Sequence, residues 1–360
     1  MFKFEVLKKS KKSKARIGRI HTPHGIVDTP TFCPVGTQGT VKTIFPRDVR
    51  EAGAQMVLAN TYHLFLRPGP EVVKAAGGIQ KFMGWNGPVM TDSGGFQVFS
   101  LAKIRELNDE GVTFQSHIDG VYHHFTPEKV IDIQLAYGSD IILPLDECPP
   151  YPSTKDEVNN AVKRTTEWAK RSLKQMQSTE HRTLNTVLFG IVQGGVYDDL
   201  RKESAKQIQD LNFPGYGIGG VSVGEPREDM YRTVDVVTDI LESDKPRHLL
   251  GVGFEDDIVE GIKLGIDTFD CVIPTRLARH GTYIGSEGHK SVKQSDFTKD
   301  FRPLVAGCDC YTCQNFSRAY LRHLFMAHEI LSYTLLTLHN IRYLMNLVSH
   351  LREQIKTDQI

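Results

Sequence analysis

Three aspartates and one glutamine each follow a short apolar run. Asp92 follows Pro88-Val-Met-Thr, Asp146 follows Ile141-Ile-Leu-Pro-Leu, Gln193 follows Val187-Leu-Phe-Gly-Ile-Val, and Asp270 follows Thr268-Phe. Carboxylates can attack electrophilic carbon or carry protons, and an amide can read a polar ligand. A second constellation lies further on. Cys308-Asp-Cys310-Tyr-Thr-Cys313 sets three thiols within six residues. Three thiolates and one imidazole complete a tetrahedral zinc shell with no position left for water, so such a site is structural. His323, His328 and His339 compete for the fourth place; spacing alone gives His339 a small lead.

Apolar runs bounded by Gly and Pro read as buried strands. Eight are found: 30–36, 55–60, 88–92, 140–146, 187–193, 215–221, 248–252 and 268–273. Helical patterns separate most of them. Thr126-Pro127-Glu128 caps a helix from Glu128 to Tyr137. A longer amphipathic helix covers Glu157 to Gln177, and another starts near Asp256. Strands alternating with helices predict a (β/α)8 TIM barrel of the α/β class, with function at the C-terminal ends of the strands. The first 28 or so residues, with a turn at Thr22–Gly25, predict an antiparallel cap. A hairpin about Asp119-Gly120 interrupts the pattern after the third strand. The expected division is 1–275 for the capped barrel and 276–360 for a zinc-binding helical extension packed on it.

The 360 residues are 40% hydrophobic and 24% charged, as in soluble globular proteins. No apolar stretch reaches the ~20 residues of a membrane span. The N-terminus lacks a signal-peptide core. A cytoplasmic location is therefore expected, with no membrane partner. Basic and acidic residues balance at 43 each. A local basic run, Lys8, Lys9, Lys11, Lys12, Lys14 and Arg16, reads first as a solvated hairpin and second as a phosphate-contacting patch. Cys33, Cys148 and Cys271 read as buried thiols.

Several longer motifs occur in order: Thr91-Asp-Ser-Gly-Gly-Phe-Gln97, Gly190-Ile-Val-Gln-Gly-Gly195, Gly219-Gly-Val-Ser-Val-Gly-Glu225 and Phe269-Asp-Cys-Val-Ile-Pro-Thr-Arg276. With the cysteine cluster they resemble the tRNA-guanine transglycosylases, the bacterial branch most closely, from Gly18 to about Asn340. The resemblance implies a zinc-containing (β/α)8 barrel. It implies exchange of the wobble guanine of tRNAs with GUN anticodons (Asp, Asn, His, Tyr) for 7-aminomethyl-7-deazaguanine, through a covalent aspartyl-ribose intermediate. Asp270 is then the nucleophile and Asp92 the general acid/base. Asp146, Gln193 and Gly220 read the base, and Cys308, Cys310, Cys313 and His339 hold one structural Zn²⁺ per subunit.

Such chemistry suits these residue types. An ionised carboxylate accepts from both N–H donors on one edge of guanine, which fits Asp146. The base's carbonyl oxygen needs donors, from the Gln193 amide and the Gly220 backbone. Phe96 offers a stacking face. Glu225, behind the Val221-Ser222 peptide, suits a cationic aminomethyl group. The resemblance implies that a smaller residue at position 223 admits queuine in eukaryotic relatives, so Val223 favours the smaller bacterial base. One nucleotide of the anticodon loop must flip into the pocket, with Arg276 and Arg279 as phosphate contacts. The resemblance also implies a homodimer about the zinc region, where Phe316, Tyr320 and His323 are candidates. Archaeal relatives add C-terminal RNA-binding domains that are not expected here. The eukaryotic non-catalytic partner subunit lacks the nucleophile, so Asp270 and Asp92 together point to a catalytic chain.

Overall fold

The computed structural model describes residues 2–101, 105–178 and 185–360. Three antiparallel strands open the chain: β1 (Lys3–Lys9), β2 (Arg16–Thr22) and β3 (Gly25–Thr29). They form the expected cap, which lies under the N-terminal ends of the barrel strands. Ile20 and Val27 join Met56, Met90, Ile141 and Phe189 in one apolar cluster. Polar ties fix the edges. The backbone N–H of Asp28 donates to Gln55 Oε1 at 2.9 Å, and His24 Nδ1 meets Asp140 Oδ1 at 2.9 Å. Part of the basic run pairs with acids of the same chain. Lys8 pairs with Asp358 at 2.9 Å, and Lys14 pairs with Asp235 and Asp239, both at 2.6 Å. Arg16 is buried and donates from Nε to Asp267 Oδ1 at 2.9 Å.

The barrel follows as β4 (Thr31–Gly36), β5 (Val57–Asn60) and β6 (Val89–Asp92). An antiparallel insertion interrupts it: β7 (Arg105–Asn108), β8 (Gly111–Gln115) and β9 (Tyr122–Phe125). Its β8–β9 turn falls at Asp119-Gly120, as expected, while β7 adds a strand the sequence did not announce. The barrel resumes with β10 (Ile141–Ile142), β11 (Val187–Leu188), β12 (Gly190–Val192), β13 (Tyr216–Ile218), β14 (Arg247–Leu249) and β15 (Thr268–Cys271).

These nine strands are all parallel, in the order β11-β10-β6-β5-β4-β15-β14-β13-β12. The two ends of that order are consecutive pieces of one run, split at Phe189. Phe189 N–H donates to Ile142 O at 3.0 Å, and Gly190 N–H donates to Gly215 O at 3.0 Å. The run thus changes neighbour within two residues, and the eightfold ring is nearly closed. The expected eight strands are all present but shorter at their edges. In the 140–146 run the ladder stops early because Gln134 replaces the strand partner. Its side chain accepts from Leu143 N at 3.2 Å and donates to Leu143 O at 2.7 Å.

Helices cover the outside. The helix Pro127–Tyr137 is capped by Thr126, whose hydroxyl accepts from Lys129 N at 3.2 Å. The helix Lys155–Met176 begins with a capping box between Thr154 and Glu157. After β15 the chain leaves the ring through Ile273–Arg279, β16 (Thr282–Tyr283) and β17 (Lys290–Ser291). The helices Arg318–Met326 and Ile330–Lys356 follow. The last helix serves two cores. Leu335 and Leu336 join Phe297, Leu321 and Phe325 in a small lobe, whereas Ile341, Leu344, Val348 and Ile355 enter the barrel core. No helix among the described residues is long and apolar enough to cross a membrane.

Arg16 and Asp267 tie the cap to the start of β15 without contact to water, at 3% and 0% side-chain exposure. Removing one member leaves the other charge buried and unpaired, at a cost of roughly 3–5 kcal/mol. Arg16→Ala is expected to lose that much in denaturant unfolding. A loss within experimental error would show the pair to be dispensable.

Candidate active site

A cavity of about 460 Å³ opens at the C-terminal ends of the strands. Asp92, Phe96, Asp146, Gln193, Gly220 and Asp270 all line it, with Arg276 at its edge. Five barrel strands, or the loops and short helices directly after them, supply these residues. A parallel ring sends every C-terminal end to one face, which is why groups far apart in sequence meet.

Asp92 ends β6. Its Oδ2 accepts from Asn60 Nδ2 at 2.6 Å. Its Oδ1 accepts from the backbone N–H of Thr61 at 3.0 Å and of Gly94 at 3.1 Å. Burial away from bulk water pushes its carboxyl up to about 7 from an ordinary 3.8. The nearby Asp270 charge adds to the rise, and the three hydrogen bonds oppose it. Asp92 can therefore exist in both protonation states near neutral pH. Gly94 holds φ at +76°, and a Cβ there would lie 2.7 Å from Tyr62 N. Only glycine lets the chain turn this closely past the aspartate.

Asp270 ends β15. Its Oδ1 accepts from Gly251 N–H at 3.1 Å and lies 3.1 Å from His248 Nε2. Asp146 is held on both oxygens, by Ser93 Oγ at 3.1 Å and Gln193 Nε2 at 2.7 Å. Burial pushes its carboxyl up to about 6, opposed by those two donors. The three carboxylates thus differ in their partners, although all belong to one cavity.

Gln193 is buried, and its Oε1 has no partner among the described residues. That oxygen would lie 2.2 Å from a Cβ at Gly220, where φ is +63°. The glycine is therefore needed for the two loops to meet. Arg201 fastens them from behind. Fully buried, it donates to Gly195 O at 2.7 Å, Gly219 O at 2.6 Å and Gly220 O at 2.7 Å.

The remaining candidates lie in different settings. Phe96 is 49% exposed beside the cavity rather than packed in the core. Glu225 sits behind the wall and accepts from Ser222 N–H and, at 2.9 Å, from Val223 N–H. Arg279 is not on the cavity; it donates to Thr275 O at 3.0 Å, one helical turn back. Cys148 and Cys271 are only half-buried on the cavity wall, whereas Cys33 is fully buried. Sequence reasoning missed Asn60, Ser93, Arg201 and His248. Ser93 adjoins a recognised aspartate, but nothing local singles out the other three.

Outside the cavity lining, Cys308, Cys310, Cys313 and His339 bring their ligand atoms within 4.8 Å of one another. His339 Nδ1 lies 3.8, 3.4 and 3.3 Å from the three sulfurs in that order. Its Nε2–H donates to Ile284 O at 2.8 Å, which turns Nδ1 toward the thiols. The donor set fits a metal ion. His323 and His328 are exposed and outside the cluster.

The family model described as queuine tRNA-ribosyltransferase matches residues 10–360. The chain belongs to that family. A relative named queuine tRNA-ribosyltransferase in Thermoanaerobacter sp. (strain X514) is 52% identical over 358 residues, covering 99% of this chain and 94% of its own. One of the same name in Desulforudis audaxviator is 54% identical over 356 residues, covering 99% and 95%. A third, in Listeria innocua, is 50% identical over 358 residues, covering 99% and 93%. The family assignment makes this chain an enzyme of the pentosyltransferase class. The four motifs and the cysteine cluster that carry the sequence resemblance all lie inside the matched region.

The raised carboxyls have a consequence for stability. Between about pH 4 and pH 7 the folded chain holds protons at Asp92 and Asp146 that the unfolded chain has released. Stability therefore falls as pH rises through that window. Asp92→Asn should flatten this slope, whatever its effect on absolute stability. Unfolding in denaturant at pH 5 and pH 8 measures it; equal slopes in both proteins would contradict the assignment.

Proposed function

We propose that this chain exchanges the wobble guanine of tRNAs with GUN anticodons for 7-aminomethyl-7-deazaguanine. The reading rests chiefly on one observation: Asp92, poised near neutrality, shares a cavity with Asp270. An oxygen of Asp270 attacks the ribose anomeric carbon. The glycosidic bond breaks, its electron pair leaves with guanine, and Asp92 gives the departing base a proton. The incoming base then surrenders its N9 proton to Asp92 and attacks the same carbon, and Asp270 departs as a carboxylate. The enzyme ends as it began.

The other groups hold the base. Asp146 accepts from the N–H edge of the purine. Gln193 uses one amide hydrogen on Asp146, so its second serves the carbonyl oxygen of the base, beside the Gly220 N–H. Phe96 stacks on the flat ring. Selection of an aminomethyl group is supported by Glu225. With the Ser222 N–H bonded to Glu225, the Val221 carbonyl of the same trans peptide faces the opposite way, as an acceptor for an ammonium. Ser222 holds φ at +59°, a left-handed turn that keeps the peptide so oriented.

Arg276 and Arg279 are the proposed phosphate contacts, and the anticodon loop of tRNA is the partner. Zn²⁺ is the metal that suits three thiolates and one imidazole. It would supply no chemistry to the reaction and would tie the small lobe to the last helix. A cytoplasmic homodimer is part of the same reading. Phe316 and Tyr320 stack at 5.4 Å, and Tyr320 and Tyr311 are exposed on the lobe.

Incubation with radiolabelled guanine and unmodified tRNA tests the activity. Label should enter the tRNA without net loss of base. Release of guanine with no incorporation would instead mark a hydrolase. Asp270→Asn should lower incorporation by more than ~1,000-fold while leaving tRNA binding in place. Cys310→Ala should lose the metal and much of its soluble yield. A metal-free variant of full solubility and activity would remove the structural role of the ion.

A further inference from the structure

We infer that His248 is a positioning residue for Asp270, locked by Thr268, and that Asp270 Oδ2 rather than Oδ1 is the attacking oxygen. The inference rests on the proposed reading of Asp270 as the nucleophile. His248 lies on β14 and is fully buried. Its Nε2 is 3.1 Å from Asp270 Oδ1, and its Nδ1 is 2.9 Å from Thr268 Oγ1. Thr268 and Asp270 are alternate residues of β15, so their side chains point to the same face. The neighbouring strand β14 presents His248 between them.

The proton positions follow from the partners. Asp270 must be ionised to attack, and an ionised carboxylate only accepts. Nε2 therefore carries the hydrogen. In the neutral ring Nδ1 is then an acceptor, and the Thr268 hydroxyl donates to it. Thr268 in this way selects the tautomer that serves Asp270. Gly251 N–H donates to the same oxygen from the β14 loop at 3.1 Å. Two donors thus converge on Oδ1 and draw its electron density away from the substrate. No donor among the described residues meets Oδ2, while the carboxylate lines the cavity. The Oδ2–carbon bond forms as the glycosidic bond breaks. On the return step the same pair of donors receives the regenerated carboxylate in its starting orientation.

His248→Phe keeps a ring of similar size and deletes the donor. A nucleophile released by about 1 Å loses roughly 100-fold in rate. The expected result is a kcat for guanine exchange lowered on that scale, with KM for tRNA and guanine unchanged. His248→Gln, which restores an N–H near the same place, should recover part of the rate. Thr268→Val is nearly isosteric and touches the site only through His248, so it reads the tautomer lock separately. It should lower kcat with both KM values unchanged. Wild-type kcat in folded His248→Phe or in Thr268→Val would overturn the inference, as would a defect confined to KM. Failure of the wild-type chain to incorporate guanine would instead overturn the underlying function.

Discussion

Two buried carboxylates cannot share a cavity as equals. Each ionised group raises the cost of ionising the other, and removal from water raises it further. The chain resolves this through different partners. Asp92 receives three neutral donors, from Asn60, Thr61 and Gly94, yet remains displaced toward neutrality. Asp270 has His248 and Gly251 on a single oxygen. The two carboxylates thus differ in which of their oxygens are engaged and by which donors. The remaining architecture serves to hold that difference.

The opposite ends of the same strands show the contrast. Asp267 begins the run that ends in Asp270, and Asp140 begins the run that ends in Asp146. Asp267 is matched by the Arg16 guanidinium. Asp140 accepts from His24, Gln80 and the backbone N–H of Val89. These floor carboxylates are sealed by the cap and by cationic or multiple donors. Those at the mouth have no arginine partner among the described residues and line the cavity. Direction along a parallel strand thus separates the aspartates tied to the cap from those that line the cavity.

Much of this was legible beforehand because it depends on local pattern. The four apolar runs ending in Asp92, Asp146, Gln193 and Asp270 pointed to strands whose ends share one cavity, since a barrel converts chain direction into a common face. The Thr126 helix cap and the Asp119-Gly120 turn were equally local. What escaped depends on contacts between distant segments. His248 acquires its setting only when β14 lies beside β15. Arg201 matters because two glycine loops fold over it. Gln134 cuts short the 140–146 ladder by reaching across from a helix. The basic run read first as a solvated hairpin and second as a phosphate contact, but Lys8 and Lys14 find their acids near the far end of the chain and on another helix. His339 needed the last helix to bridge two cores before its distance from Cys313 made sense.

On the proposed mechanism a ribose is carried on Asp270 during base exchange. Mass spectrometry of the wild-type chain mixed with substrate tRNA, after removal of free base and digestion, measures this directly. A ribose-linked fragment should map to the peptide containing Asp270. An adduct on Asp92, or exchange proceeding with no adduct on either residue, would contradict the account.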